Sequence, residues 1–390
     1  MMIGNARMSQ KYPTSSSRKR SPLSSGKYSA IGLLAYCRPG FEAECAQELQ
    51  NIASLQFVYG YSKIDKGTGV VFWRCSQGNP LDVYKEIEVS RCIFARQVFC
   101  ALHDIEIEDT TDRVSPVVEA LRPGGAFGFL HIETPLEDEA GSLQKLAKKL
   151  TAPMSAALRN AGVLSKAKTD ELPQLHLVCL SGQHIIAALA VHPNSSALPL
   201  GIPRLRFRNE APSRSALKIE EAFLTMLTPA EREFVLKRGQ RGVDLGAAPG
   251  GWTWYMVTQG VKMTAVDHGA LQQELLEDPA VTYVSDDGYV YKPQRKVDWV
   301  VCDIVDKPKR TMERMADWLC YDWTTYALFN LKLPMKTRMD EVEACLQRLQ
   351  ERLLGADIES EVRVKQLYHD REEVTVLALT GHFLTAFQKH

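Results

Sequence analysis

The sequence predicts an α/β protein, with a doubly wound, mostly parallel C-terminal sheet preceded by two smaller α/β units. Three observations predict it. From Ala216 onward, apolar runs of strand length alternate with segments of helical periodicity, as in a parallel sheet covered on both faces. A glycine-rich turn at 246–251 joins one such strand to one such helix. Before residue 193, short apolar runs follow hairpin-like spacing and only a few amphipathic segments interrupt them.

Taken in order, residues 1–28 are rich in Ser, Lys and Arg, carry no acid, and are expected to form a disordered basic tail. A first unit, 29–102, reads as strand 30–37, a turn at Pro39-Gly40, helix 41–52, strands 55–61 and 68–75, helix 81–87 and strand 91–101. That β-α-β-β-α-β order is the split βαβ arrangement of ferredoxin-like domains. A second unit, 103–192, has strand 126–133, helix 142–161 and strands 174–180 and 184–191, which meet at Ser181-Gly182. The helix rests on a stripe of Leu143, Leu146, Leu150, Met154 and Leu158, and Pro153 is expected to kink or split it. Four prolines between 193 and 214 break both periodicities, so 193–212 reads as a linker. The third unit, 213–390, follows as helix 217–227, strand 241–245, helix 251–259, strands 262–267, 281–284 and 298–304, helix 310–323, strand 326–333 and helix 339–354. An antiparallel pair, 362–368 and 373–380, ends it.

Composition narrows the function classes. The 390 residues are 45% hydrophobic and 24% charged, which excludes global disorder, and the longest apolar runs fall far short of a membrane span. The basic start lacks the apolar stretch of a secretory signal, and a cytoplasmic protein is expected. Nine dispersed cysteines without a CxxC pair, and no HExxH, point to reduced, mostly buried thiols and to no metal site. Lys and Arg number 47 against 47 Asp and Glu, so overall charge gives no argument for a nucleic-acid partner.

The strongest chemical signal is the block 243–252, V-D-L-G-A-A-P-G-G-W. A dinucleotide site wants G-x-G-x-x-G, and here the spacing is G-x-x-x-G-G. A P-loop wants Lys after its last glycine, where this chain has Trp252. Asp244 at the strand end disfavours a triphosphate and suits S-adenosylmethionine, which is cationic and free of phosphate. Gly246, Ala248, Pro249, Gly250, Gly251 and Trp252 are then the candidate cofactor turn, with Asp267 placed for ribose hydroxyls and Asp287 for the adenine.

This block, with Ser213, Arg214, Ser215, Ala216, Leu217 and Lys218 upstream, closely resembles the FtsJ-like RNA ribose 2′-O-methyltransferases over about 205–380. The resemblance implies a Rossmann-like methyltransferase domain and a Lys-Asp-Lys-Glu tetrad. It falls on Lys218, Asp303, Lys332 and Glu373, with Glu372 the adjacent alternative, and Ser215 and Asp303 join the cofactor contacts. Flanking variants, Asp303-Ile304-Val305-Asp306-Lys307-Pro308 and Asn330-Leu331-Lys332-Leu333-Pro334-Met335-Lys336, depart from that type. Joined to an N-terminal region that looks like a ferredoxin-like unit plus a THUMP RNA-binding domain, they resemble the RlmM family. That resemblance implies 2′-O-methylation of a cytidine in 23S ribosomal RNA by a monomer.

The chemistry is consistent with this. A ribose hydroxyl must lose its proton as it attacks a sulfonium methyl in line. Lys332 is either the base or a cation stabilising the alkoxide, and positioning plus proton transfer supply enough rate without a metal. Arg204, Arg206 and Arg208 with Phe207, then Lys307, Lys309 and Arg310, then Lys336 and Arg338, form three basic clusters expected to line an RNA channel. No N/D-P-P-Y/F tetrapeptide occurs, which disfavours base-amine methylation, and Cys302 lacks the Pro-Cys context of a cytosine-C5 nucleophile. The competing readings are methylation of another structured RNA, a cofactor-binding RNA chaperone without catalysis, and a small-molecule O-methyltransferase.

Overall fold

The computed structural model describes residues 23, 27–135 and 141–387; residues 1–22, most of the expected basic tail, lie outside these. The chain forms two seven-stranded sheets. The first is built from β1 (Gly32–Tyr36), α1 (Glu42–Leu55), β2 (Tyr59–Ile64), β3 (Val70–Gln77), α2 (Pro80–Glu86), β4 (Gln97–Glu106), α3 (Ser115–Leu121), β5 (Leu130–Glu133), α4 (Ser142–Asn160), β6 (Gln174–Cys179) and β7 (His184–Ala190). Its order is β2-β3-β1-β4-β7-β6-β5, so the ferredoxin-like quartet and the following strands share one sheet. The expected boundary at 102/103 falls inside β4, which pairs with β1 on one side and β7 on the other.

The second sheet comprises α5 (Ala216–Thr225), α6 (Pro229–Val235), β8 (Arg241–Leu245), α7 (Gly251–Thr258), β9 (Lys262–Val266), α8 (Gln273–Leu276), β10 (Val281–Val284), β11 (Val297–Cys302), α9 (Pro308–Cys320), β12 (Thr324–Lys332), α10 (Arg338–Gly355), β13 (Ser360–Lys365), β14 (Glu373–Thr380) and α11 (His382–Phe387). The order is β10-β9-β8-β11-β12-β14-β13. Strands β8 to β12 run parallel, and β14 lies antiparallel to β12 with Lys332 opposite Glu373. The end of β12 and the start of β14 therefore reach the same edge of the sheet. Among the described residues, no helix is long and apolar enough to cross a membrane.

Several elements differ from expectation for identifiable reasons. The strand expected at 91–101 begins only at Gln97, because the N–H groups of Ile93, Phe94 and Ala95 donate to the buried Glu48 carboxylate instead of a ladder. Helix α4 runs on through Pro153 without splitting, held by the buried Leu150, Met154 and Leu158 of its apolar stripe. Helix α6 was not expected, although Thr228-Pro229-Ala230-Glu231 spells its start: Thr228 and Glu231 form a capping box with Pro229 in the first turn. The expected tail does not extend to Tyr28, which is buried and donates its hydroxyl hydrogen to Ala126 O.

The segment expected as a linker is anchored at Ser195 and 201–203, which are buried, while 204–210 is largely exposed. Gly201 has φ +70°, and a Cβ there would meet Arg96 O at 2.1 Å. Lys365, at the end of β13, donates from Nζ to the carbonyls of Val89, Cys92 and Ala95 at 2.9, 3.0 and 3.1 Å. Arg338 on α10 donates to Gly40 O at 3.0 Å and to Glu372 at 2.7 Å, and lies over the Phe41 ring. These contacts fasten the first sheet to the second beside β12 and β14.

Candidate active site

Four side chains distant in sequence converge at the edge where the parallel strands end. Asp303 follows β11, Lys332 closes β12, Glu373 opens β14, and Lys218 lies in the first turn of α5. Lys218 Nζ stands 3.1 Å from Asp303 Oδ2 and 2.6 Å from Glu373 Oε1. Lys332 Nζ donates to Asp303 Oδ1 at 2.5 Å and also to Glu373 Oε2. Each lysine thus bridges both carboxylates in a closed ring of alternating charge. Glu372, the alternative to Glu373, points away and is held by Arg338.

The electrostatics follow from this ring. Burial is the largest single influence on Lys218 and opposes its charge, but Asp303 and Glu373 together outweigh it and raise its pKa above the usual lysine value. For Asp303, burial again works against the charge. The two ammonium groups and a hydrogen bond from Asn330 prevail and hold the carboxyl below its ordinary range.

Beside the ring lies the glycine turn. Gly246 and Gly250 have φ of +74° and +114°, and a Cβ on Gly246 would meet Ile304 at 2.4 Å. A Cβ on Gly251 would meet the hydroxyls of Ser215 and Ser213 at 2.3 and 2.5 Å, so glycine lets the start of α7 approach that serine pair. Asp267 accepts from Ala248 N at 2.9 Å and Gly269 N at 2.7 Å, bracing the turn. Asp287 accepts from Tyr289 N at 2.8 Å, and the following Gly288 packs near Gly246 and Ile304.

Two of the expected cofactor residues have buried side chains. The Trp252 side chain is buried in the core with Phe223, Tyr255 and Met256, not in the turn's mouth; only its backbone belongs to the helix start. Asp244 is 1% exposed and accepts from Thr253 Oγ1 at 2.7 Å, behind the turn. Its carboxyl is pushed up to about 7, chiefly by burial and then by Asp303 and Asp267, with the Thr253 bond opposing.

The basic clusters separate into free and engaged residues. Arg204, Arg206, Lys307, Lys309 and Lys336 are exposed, as is Phe207. Arg208 is drawn toward Glu220 at 3.6 Å and over the Trp254 ring. Arg310 pairs with Asp306 at 2.7 Å. Arg338 is engaged with Gly40 and Glu372 and fastens the two sheets. Cys302 is buried, and burial pushes its thiol up to about 12, which makes it an inert core group.

Sequence reasoning missed the polar residues behind the ring. Asn330 Nδ2 donates to Asp303 Oδ1 at 2.8 Å, and Thr375 Oγ1 donates to Asn330 Oδ1 at 2.7 Å. The signal was present: Asn330 precedes Lys332 by two in an apolar strand, and Thr375 follows Glu373 by two, so each pair shares a face. Glu221, one turn after Lys218, accepts from Tyr368 N, His369 N and the His369 ring, and fixes the loop before Glu373.

Known proteins match this chain along its length. Residues 31–99 match the model of the RlmM ferredoxin-like domain, 112–191 that of the ribosomal RNA large subunit methyltransferase M N-terminal region, and 211–333 that of FtsJ-like methyltransferases. Ribosomal RNA large subunit methyltransferase M of Xanthomonas oryzae pv. oryzae (strain PXO99A) is 44% identical over 350 residues, 90% of this chain and 99% of the relative. The protein of that name from Xanthomonas axonopodis pv. citri is 44% identical over 348 residues, 89% and 99% of the two chains. Among solved structures, TrmN from Thermus thermophilus is 14% identical, with a TM-score of 0.35 over 90% of this chain and 99% of that one. The chain belongs to the ribosomal RNA large subunit methyltransferase M family.

Proposed function

We propose that this protein transfers the methyl group of S-adenosylmethionine to the ribose 2′-hydroxyl of a cytidine in 23S ribosomal RNA. The observation that carries this reading is the closed ring of Lys218, Asp303, Lys332 and Glu373 beside the glycine turn.

The residues present fit the cofactor. The turn has glycine where side chains would fill it, and Asp244, Asp267 and Asp303 crowd negative charge around it without a phosphate-binding lysine. S-adenosylmethionine, when bound, supplies an electrophilic methyl on a cationic sulfur. Ser215, the turn 246–251, Asp267 and Asp287 would hold it, and a cation there would favour the ionised form of the buried Asp244 carboxyl.

The chain's own residues then handle the hydroxyl. Asp303 and Glu373 occupy two of the three positions around Lys332 Nζ, so one remains for the attacking oxygen. Through it Lys332 either donates to the developing alkoxide or takes the leaving proton. Lys218, kept charged by its carboxylates, adds positive potential at the same point. One chain supplies all four groups, so a monomer suffices, and the cytoplasm is the compartment we propose for the reaction. Arg204, Arg206, Lys307, Lys309 and Lys336 are offered to RNA phosphates, with Phe207 for base stacking.

The test is to map ribose methylation in 23S ribosomal RNA from cells lacking the protein. Loss of one 2′-O-methylcytidine, restored by the intact chain but not by Lys332→Ala, is expected. An unchanged ribose map, or a lost base methylation, would overturn the reading.

A further inference from the structure

Behind the charged ring lies a second, fully buried polar chain that the reaction as described does not use. Asp370, Thr375 and Asn330 are 1%, 0% and 0% exposed. Thr375 Oγ1 stands 2.7 Å from Asn330 Oδ1 and 3.1 Å from Asp370 Oδ2, while Asn330 Nδ2 donates to Asp303 Oδ1 at 2.8 Å. Asp370 Oδ2 also accepts from Leu367 N at 2.9 Å.

Counting protons orders this chain. The Asp303 carboxylate requires the Asn330 amide to present its NH2, which turns Asn330 Oδ1 toward Thr375. Thr375 has a single hydroxyl hydrogen, and the shorter contact commits it to Asn330. Its oxygen then faces Asp370 with lone pairs only. An ionised Asp370 would set oxygen against oxygen in a buried site, whereas a carboxylic acid would donate and complete the chain.

We propose that Asp370 is a positioning residue that carries a proton in the working enzyme. The chain Asp370–Thr375–Asn330 then fixes the Asp303 carboxylate between the two lysines. The surroundings agree. Burial foremost, and then the Glu373 charge, push the Asp370 carboxyl well above its ordinary value, against the opposing Leu367 N–H and Lys218. The charged groups facing it are Glu373 from β14 and Lys218 and Glu221 from α5, and among the described residues no cation forms an ion pair with it. The carboxylic acid form therefore meets the local field as well as the hydrogen-bond geometry.

This inference rests on the methyl-transfer reading, so its test has one readout outside catalysis. Infrared difference spectra of the full chain, wild type against Asp370→Asn, are expected to lose the carbonyl stretch of a protonated carboxylic acid. Its absence near neutral pH would overturn the proposal. In single-turnover methyl transfer, Asp370→Ala and Thr375→Val are expected to lower the rate on the order of 10- to 100-fold, the scale of a small misplacement of reacting groups, with RNA and cofactor affinity retained. Asp370→Asn, whose amide can donate to Thr375 and accept from Leu367, is expected to rescue most of the loss seen in Asp370→Ala. Equal damage from Asn and Ala, or full activity with an unshifted pH profile in Thr375→Val, would overturn it; Thr375→Ser, which keeps the hydroxyl, controls for folding. If the wild type itself transferred no methyl to ribosomal RNA, the functional reading would fail, and the infrared band would still decide whether Asp370 holds its proton.

Discussion

The two sheets have seven strands each but use them differently. In the first, five of the six strand pairings are antiparallel, so successive strand ends alternate between edges. Its buried carboxylates tie loops: Glu42 accepts from the N–H groups of Gly40, Gly67 and Gly69, and Glu48 from those of 93–95. In the second, four parallel pairings send the ends of β8 to β12 to one edge, and the reversal of β14 adds Glu373 to them. Parallel strands can thus gather reactive groups from positions as far apart as 244 and 332, whereas the antiparallel sheet offers a packed body and a surface. On the proposed function, the chemistry belongs to the second sheet and the first sheet supports it.

The sharpest way to break that division is at Lys332. Lys332→Ala is expected to lower single-turnover transfer by roughly 10²–10⁴-fold or more while cofactor binding, followed by calorimetry, persists. Lys63→Ala on β2 of the first sheet is expected to leave transfer unchanged. Support is tested at Lys365, where Lys365→Ala leaves three buried carbonyls and Glu48 without their cation. A loss of about 3–5 kcal/mol in denaturant unfolding is expected, with inactivation following from misplaced β13 and β14.

A subtler prediction concerns pH. Because the folded pKa of Asp244 lies near 7, above the ordinary carboxylate value, the fold binds its proton more tightly than the unfolded chain does. This contribution to stability is complete below about pH 4 and is lost as pH rises through 7. Asp244→Asn is therefore expected to gain in melting temperature relative to wild type between pH 5 and pH 8 without cofactor, while losing affinity for S-adenosylmethionine. A constant difference across that range would contradict the assignment. Changing Arg204, Arg206 and Arg208 together to Ala is expected to flatten the salt dependence of RNA binding by about 1.4, two contacts at roughly 0.7 each, because Arg208 is already engaged with Glu220 and Trp254. The smallest effect is expected for Cys302→Ser, which should leave methyl transfer essentially intact.

Much of the second sheet was legible because its signals are local. Strand 241–245, the turn after it and strand 281–284 fall where periodicity places them. The same holds for Lys332 at the end of β12, where the cost of burying an unpaired ammonium implies a partner. What stayed hidden is tertiary. Glu373 and Glu372 are indistinguishable in sequence, and only the register of β14 against β12 turns one toward Lys332 and the other toward Arg338. Arg338 reads as one more basic residue after the reactive strand, yet its partners Gly40 and Glu44 lie almost 300 positions away. Asp370 sits in a loop with no periodicity to mark it. The shared first sheet was missed because β4 continues past the expected boundary to Glu106 and pairs with β7, a contact far away in sequence.

The most direct test of the central claim is single-turnover transfer of labelled methyl from S-adenosylmethionine to large-subunit ribosomal RNA, with the product digested to nucleosides. A 2′-O-methylated cytidine is predicted for the wild type, and none for Lys332→Ala despite retained cofactor binding. Label on a base, or undiminished ribose methylation without Lys332, would contradict the account.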